Sequence, residues 1–303
     1  EPTKKLEAQI ISELRDTHKL ADILEMLRYP KSTYMYWQRR LNKDNPDKEI
    51  ESKISSIVQK NHGNYGYRRV GLELRKQGII VNHKKVLRIT RKLGLTCSKF
   101  TRKSRRFSTY KGTVGKVAAN LIRRRFSTNI PHQKITTDTS EFKYIIQNPN
   151  GQQEIKKAYL DPFLDMYNGE IISFSISEKP GALAIATALR EAIDRTSDCP
   201  YRRTFHSDQG WIYQRPLYSG TLKKHSIFQS MSRKGNCLDN SPMENFFGIM
   251  KQEMFYDTQF HSFQELSTAI TDYIFYYNNT RIKERLGGLS PVEFRQKNYR
   301  KIA

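Results

Sequence analysis

The sequence predicts an α+β fold in which a mixed sheet with helices on both faces follows an all-α N-terminal region. Apolar residues at helical spacing occupy residues 5–93, whereas alternating strand patterns begin only near residue 134. Charge divides the chain at nearly the same place. Residues 1–130 hold 31 Lys and Arg against 11 Asp and Glu, and residues 131–303 hold 22 against 19. A basic helical half therefore precedes a nearly neutral half that contains the sheet.

Residues 1–43 are predicted to form a helical module of three short helices, the third capped by Ser32. A capped short helix after a turn is typical of a helix-turn-helix recognition element. A small helical bundle with an aromatic core face fits this evidence equally well. The third helix carries its aromatic and basic residues at Tyr34, Tyr36, Trp37, Arg39 and Arg40.

Residues 44–98 are predicted to form a second helical module, whose last helix starts after the N-cap Asn82 and ends at Gly94. Cations line the outside of its last two helices, and such side chains mainly contact DNA phosphates. The candidate duplex contacts are Arg68, Arg69, Lys84, Lys85, Arg88 and Lys92. Residues 99–130 are expected to be a basic linker that follows a DNA backbone.

The composition favours a nucleic-acid partner and argues against several other classes. The net charge is +23, and no acidic residue lies between Glu73 and Asp138. Three scattered cysteines lack zinc or disulfide spacing, which indicates a reducing compartment. No membrane-length apolar run, signal peptide or Walker-type loop occurs, so we expect a cytoplasmic, nucleoid-associated protein without a nucleotide cofactor.

The second half alternates strands and helices in the order of an α+β sheet. A helix with Ser241 as its N-cap and Pro242 in its first turn follows the last strand. Strands are predicted at 134–146, 156–165, 170–176, 204–207 and 227–231, and helices at 181–195, 219–225 and 262–278.

Three acidic residues each lie at the edge of a regular element. Asp138 interrupts a strand, Asp208 ends one, and Glu244 begins a helix. Carboxylates on adjacent rigid elements can bind two Mg²⁺ ions, which suits in-line attack on a phosphodiester. His206 is expected to support Asp208 or to be structural. The alternative acids are Glu141, Asp161, Asp165 and Asp239, of which Asp165 is the strongest and Asp239 is expected to be a turn residue.

The stretch 230–253 combines a basic loop with the predicted Glu244 helix. Glu244 and Lys251 are seven residues apart, so both project from one helix face. A carboxylate and a cation behind a loop that carries Arg233 and Lys234 suggest a site for a metal ion and a phosphate. A surface charge pair fits the same spacing.

These residues resemble a known family. The matching stretches are YGYRRV (65–70), TTDTSEF (136–142), HSDQG (206–210), SMSRKGNCLDNSPMENFFGIMKQE (230–253) and YNNTRIKERLGGLSP (277–291). They are similar to the OrfB-type DDE transposases of the bacterial insertion-sequence family numbered three, relatives of retroviral integrases. The resemblance implies an RNase H-like core at 131–260, built on a mixed five-stranded sheet, and a helical extension at 261–303.

The resemblance also implies a chemistry. Asp138, Asp208 and Glu244 would be the metal-binding triad for two Mg²⁺ ions, with Mn²⁺ as a substitute, and Lys251 would contact the terminal DNA. Members of the family nick one end of their element, join it to the other end, and insert the excised circle into target DNA. The implied partners are double-stranded DNA, as terminal inverted repeats and as target, and further copies of the chain.

Two other functions remain open on the sequence alone. A non-catalytic regulator could bind the ends through the basic half, and a nuclease of the same fold could cut without joining. The family often carries an upstream segment with a leucine zipper, joined by frameshifting, and we expect that segment to be missing here.

Overall fold

The computed structural model describes residues 3–41, 45–100, 117–234 and 237–299, and the chain divides into two compact units, residues 1–56 and 57–303. Half of the predicted basic linker, residues 101–116, lies outside the described residues. The described helices include none that is long and apolar enough to cross a membrane. The domain boundaries drawn from the sequence stay a prediction.

The first unit contains the three predicted helices, α1 (Lys4–Leu14), α2 (Leu20–Met26) and α3 (Lys31–Leu41). Its core includes fully buried Tyr34, packed with Ala8, Ile11, Ile23 and Leu24. The predicted Ser32 cap is wrong. The Pro30 carbonyl already accepts from the Tyr34 amide at 3.0 Å, so the helix begins at Lys31.

The second helical module consists of α4 (Lys48–Lys60), which crosses the unit boundary, α5 (Tyr67–Lys76) and α6 (His83–Lys92). The predicted cap of α6 is confirmed, because the Asn82 side chain accepts from the Lys84 amide at 2.8 Å. The apolar faces of α5 and α6 are buried at Val70, Leu74, Val86 and Ile89.

The sheet has six strands, β1 (Lys134–Thr137), β2 (Ser140–Gln147), β3 (Gln153–Asp165), β4 (Ile171–Ser177), β5 (Thr204–Ser207) and β6 (Phe228–Met231). The predicted strand 134–146 is therefore interrupted. Both halves pair with β3 in one continuous antiparallel register, which runs from Ile135 opposite Asp165 to Ser140 opposite Leu160. If β1 and β2 are counted as one interrupted strand, the sheet is five strands wide.

Strand directions confirm the predicted mixed sheet. Strand β4 pairs with the free edge of β3, because Leu160 faces Ser140 on one side and Ile176 on the other. Strands β5 and β6 then add to β1 in parallel. The two carboxyl ends of β1 and β5 consequently meet at one end of the sheet.

Helices cover both faces of the sheet. Helices α9 (Ser241–Met250) and α10 (Phe263–Asn279) pack on the face that carries Leu160 and Leu164. Helices α7 (Ala182–Arg195) and α8 (Pro216–Lys224) pack on the face that carries Phe163. This division follows from strand alternation, which sends neighbouring side chains to opposite faces. A last helix, α11 (Pro291–Tyr299), ends the described chain.

A buried ion pair links the end of α9 to the C-terminal segment. After Met250 the helix continues as one π turn, Lys251–Phe255, whose Glu253 side chain is fully buried. Glu253 accepts from the Arg281 guanidinium at 2.6 to 3.0 Å and from the Tyr273 hydroxyl at 2.9 Å. Arg69 of α5 lies 3.8 Å from the same carboxylate. Glu253 thus joins the second helical module, the π turn and the chain after α10.

Replacing Glu253 with Gln should lower the free energy of unfolding by about 3 to 5 kcal/mol, because the buried Arg281 guanidinium loses its counter-charge. The matched control is Glu191→Gln, which removes the same charge from an exposed pair with Arg195 and should cost less than about 1 kcal/mol. Urea unfolding of both variants measures the difference. Equal losses would contradict a special role for Glu253.

Candidate active site

Asp138 and Asp208 lie at the carboxyl ends of two neighbouring parallel strands. Asp138 is the first residue after β1 and Asp208 is the first residue after β5, and the β1–β5 register sets Thr136 opposite His206. Local backbone donors hold both side chains. The Thr139 amide donates to Asp138 Oδ1 at 2.9 Å, and the Gly210 amide donates to Asp208 Oδ1 at 2.8 Å. The strand break at Asp138 frees its backbone from the ladder, so its carboxylate can turn toward the sheet end.

Glu244 reaches the same place from the first turn of α9. The loop before α9 is tied to β1 by Asn240, whose Oδ1 accepts from the Thr136 hydroxyl at 2.5 Å and whose Nδ2 donates to the Thr137 carbonyl at 3.1 Å. The predicted Ser241 cap is wrong for this reason. Asn240 occupies the cap position with its amide committed to β1, and Ser241 is already the first helical residue. Pro242 does lie in the first turn, as predicted.

The charges of the other acids act on Asp138. Burial first, and then the charges of Asp208, Glu244 and Asp161, together raise the pKa of Asp138 to about 8, although the hydrogen bond from the Thr139 amide lowers it. Burial also raises the pKa of Asp208. Asp138 therefore lies within electrostatic range of the other two predicted acids.

A fourth carboxylate adjoins this set. Asp161, on β3, is buried and accepts from the Thr139 hydroxyl at 2.6 Å, and burial raises its pKa to about 6. The same hydroxyl lies 3.3 Å from the Tyr213 hydroxyl. On the sequence, Asp161 is only one of the alternative acids. Its hydrogen bond with Thr139, in the break between β1 and β2, joins residues 22 positions apart, so no local pattern could have singled it out.

The donor set suits a divalent cation in its chemistry. Carboxylate oxygens are the ligands that Mg²⁺ prefers, and mutual repulsion at the sheet end is the condition that a cation relieves. Across residues 3–41, 45–100, 117–234 and 237–299, no three His, Cys, Asp or Glu side chains converge closely enough to hold an ion as they stand.

Asp239 lies in the 3-10 turn Cys237–Asn240, as predicted, and its buried carboxylate binds two arginines. Its carboxylate accepts from the Arg233 amide and guanidinium at 2.9 to 3.0 Å and from Arg124 Nε at 2.9 Å. These partners, Arg233 first, lower the pKa of Asp239. His206, also buried, bonds the Asp239 carbonyl at 2.9 Å and Ser230 Oγ at 2.9 Å, and burial lowers its pKa. His206 is structural: it fastens β5 to β6 and to the loop before α9.

Two alternative acids occupy other positions. Asp165 lies opposite Ile135, at the far end of β1 from Asp138, where it accepts from the His132 and Tyr167 amides at 2.9 Å. Glu141 faces Lys157 at 2.9 Å. Asp165 therefore closes a turn, and Glu141 belongs to a cross-strand ion pair.

Lys251 contacts β2, seven residues after Glu244. Its ammonium donates to the Glu141 carbonyl at 3.1 Å and lies 4.9 Å from the centre of the Phe142 ring. A phosphate contact would require this hydrogen bond to be exchanged. Among the other predicted DNA contacts, Arg233 is engaged with Asp239, whereas Lys234 is exposed.

The predicted contacts of the second helical module differ in exposure. Arg68 is exposed and lies 3.9 Å from Glu284, and Arg69 is largely buried near Glu253. On α6, Lys85 is half-buried, and the exposed cations are Lys84, Arg88 and Lys92.

Comparisons with known proteins agree with this arrangement. Integrase core domain families match residues 128–237 and 244–299, and an HTH-like domain family matches residues 45–104. The putative transposase InsK for insertion sequence element IS150 of Escherichia coli (strain K12) is 40% identical over 292 residues, 96% of this chain and 98% of the relative. Transposase InsF for insertion sequence IS3A of the same organism is 30% identical over 280 residues, 90% of this chain and 92% of the relative.

The chain belongs to the IS3 family of insertion-sequence transposases. The resemblance and the transposase function predicted from the sequence are thereby confirmed. The first integrase core match contains Asp138 and Asp208, and the second begins at Glu244. Among solved structures, the HTLV-2 integrase catalytic core domain in complex with magnesium aligns with a TM-score of 0.40 at 17% identity, over 54% of this chain and 94% of that one. The assignment to the transposase family rests on the sequence relatives alone.

Asn240→Ala should slow the DNA reaction of this transposase about 10- to 100-fold, because it frees the Glu244 helix from β1. DNA affinity should change little. The matched control is Asn279→Ala, at an exposed asparagine that bonds only within its own helix. Rates under single-turnover conditions, with binding measured separately, test this. A loss of affinity with an unchanged rate would contradict the positioning role.

Asp138→Asn should raise the melting temperature of the metal-free protein at pH 8. Because the folded-state pKa of Asp138 is raised, its protonated form stabilises the fold below about pH 4, and this contribution is lost as pH rises toward 8. Asparagine has no proton to lose. Thermal melting in a chelator from pH 5 to pH 8.5 should show wild type falling relative to the variant.

The control for the pH experiment is Glu141→Gln, at the carboxylate that faces Lys157, which should gain no stability at pH 8. A variant Asp138→Asn that melts below wild type across the whole pH range would contradict the repulsion at the sheet end.

Proposed function

We propose that the chain is a divalent-metal-dependent polynucleotidyl transferase that nicks the ends of its insertion sequence, joins them and inserts them into target DNA. The single observation that supports this most is the raised pKa of Asp138 under the combined influence of burial, Asp208 and Glu244. The carboxylates after β1, after β5 and on α9 repel one another, which destabilises the fold. A metal-dependent reaction on phosphodiesters would explain why the chain places them together.

Asp138, Asp208 and Glu244 are the proposed ligands of two Mg²⁺ ions, for which Mn²⁺ would substitute. Bound at these carboxylates, the ions would supply Lewis-acid activation of the attacking oxygen and neutralise charge at the phosphate. The chain's own contribution is to hold the ligands rigidly. Thr139 and Gly210 orient the two aspartates through their amides, and Asn240 fixes the Glu244 helix against β1.

The reaction class is transesterification at phosphorus. A water molecule first cleaves one phosphodiester and leaves a 3′-hydroxyl. That hydroxyl then attacks a second phosphodiester in line, forms a new P–O bond and expels the 3′-oxygen opposite to it. Lys251 is the proposed contact for a phosphate of the terminal DNA. It donates to the carbonyl of Glu141, and a charged phosphate oxygen is a stronger acceptor than a neutral carbonyl.

The DNA partners are proposed to be the terminal inverted repeats and the target duplex. The basic N-terminal half of the chain would make most of the contacts with them. Candidate phosphate contacts are Arg68, Arg69, Lys84, Lys85, Arg88, Lys92, Arg233 and Lys234. A homo-oligomer on DNA follows from the need to bring two ends together. A second candidate function is a non-catalytic regulator of the element, which is favoured by the surplus of 31 basic over 11 acidic residues in residues 1–130.

The decisive experiment is a nicking and joining assay with labelled duplexes that carry the parent element's ends. Wild type should form joined product with Mg²⁺ or Mn²⁺ and none with a chelator. Glu244→Gln and Asp208→Ala should bind the same ends without product. Lys251→Ala should lower the rate and leave metal dependence intact.

The matched control for the triad variants is Glu141→Gln, which alters a neighbouring carboxylate outside the proposed ligand set and should keep activity. Wild type that binds the ends and forms no product with either metal would favour the regulator. Cut product that is never joined would favour a nuclease.

A further inference from the structure

A cationic cavity lies against α9, and none of the acids Asp138, Asp208 and Glu244 lines it. It is a half-open cavity of about 460 Å³ within the second unit. The first turns of α9 form one wall, through Pro242 and Asn245, and the turn between β3 and β4 forms another at Gly169. Four cations line it: Arg69, Arg281, Lys283 and Arg285.

Two of these cations converge on one backbone position. A Cβ atom added to Gly169 would lie 2.7 Å from Lys283 Nζ and 2.7 Å from Arg285 Nη2, so the two groups are no more than twice that distance apart. Gly169 has φ +77, a conformation that glycine adopts most readily. The missing side chain therefore lets two positive groups meet over the backbone.

The cations of the cavity outnumber its acids. Arg281 and Arg69 share the single carboxylate of Glu253, and the one acid that lines the cavity, Glu284, is exposed and 3.9 Å from Arg68. Lys283 Nζ has three donors and bonds two neutral oxygens, of Gly169 at 3.1 Å and of the Tyr277 hydroxyl at 2.7 Å. Arg285 has no acceptor or carboxylate partner within the described residues.

The charge imbalance is visible in the titration of Lys283. Burial lowers its pKa well below the usual range, and the charges of Arg285, Arg281 and Arg69 lower it further. An anion in the cavity would reverse this effect. The geometry and the charge count thus agree on the kind of ligand that is missing.

We propose that this cavity binds a backbone phosphate of the DNA on which the transposase acts, with Arg285 and Lys283 as its direct ligands. The inference rests on the proposed function, because it takes the DNA partner from there. A phosphate is the better fit than a carboxylate ligand from a protein. Guanidinium and ammonium donors together match its several oxygens, and the exposed Arg68 at the rim continues the basic surface of α5.

The site would connect DNA binding to the catalytic helix. Arg69 comes from the HTH-like module, Pro242 and Asn245 from the helix of Glu244, and Arg285 from the segment after α10. A phosphate seated among them would hold these three parts of the second unit together once DNA is bound.

The test is the salt dependence of end binding by Arg285→Ala. Losing one phosphate contact should reduce the slope of log K against log salt by about 0.9. The matched control is Arg190→Ala, at an exposed arginine on α7, which should leave the slope unchanged. The same measurement uses a set of duplexes, each with one neutral methylphosphonate in place of a phosphate. At one position the methylphosphonate should weaken binding by wild type and leave binding by Arg285→Ala unchanged.

Thermal melting with inorganic phosphate at constant ionic strength separates a DNA phosphate from a free anion. Stabilisation of wild type beyond Arg285→Ala, with unchanged DNA slopes, would overturn the proposal in favour of a free-anion site. Unchanged slopes and no phosphate effect would overturn it altogether. Because joining by wild type and its loss in Glu244→Gln are measured on the same preparations, failure of the cavity proposal is distinguishable from failure of the transposase mechanism.

Discussion

The core of this transposase must hold several carboxylates together at one end of the sheet although they repel one another. Asp138, Asp208 and Glu244 come from three separate elements, and nothing attractive among them brings them together. Hydrogen bonds from amides, the Asn240 tie to β1 and the arginine contacts of buried Asp239 supply the force that opposes the repulsion. The apolar layers on both faces of the sheet give these groups a rigid support.

Much of this arrangement could be predicted because it is written in local patterns. Strand alternation, the helix start at Pro242 and the position of each acid at an element's edge all depend on neighbouring residues. These signals gave the mixed sheet and the order of its elements. The sequence predicted that Asp138 interrupts the first strand, and it predicted nothing about how the two halves of that strand pair. The continuous register on both sides of it depends on pairing with β3, more than twenty residues away.

The two misplaced helix starts have different physical causes. At Ser32 the cause is local, because the Tyr34 amide already donates to the Pro30 carbonyl. At Ser241 a tertiary bond overrides local preference: Ser241 has the side chain of a helix cap, but the adjacent Asn240 is held by β1, and the helix starts one residue earlier than the capping rule predicts. Asp239 lies in a turn, as predicted, but the contact of its carboxylate with Arg124, over a hundred residues before it, has no local signal. The Glu253–Arg281 pair, 28 residues apart, gave no signal at all because a buried pair and a surface pair look alike in sequence.

The topology of the sheet also orders the events by which the active site is made. Strands β2, β3 and β4 form a meander of short connections, so little loop entropy opposes their pairing. The parallel pairing of β1 with β5 joins residues about 70 positions apart, and Glu244 follows later still. A nascent chain that ends before β5 carries Asp138 without Asp208. The order of the elements therefore means that a growing chain holds all three carboxylates only after Glu244 has been synthesised.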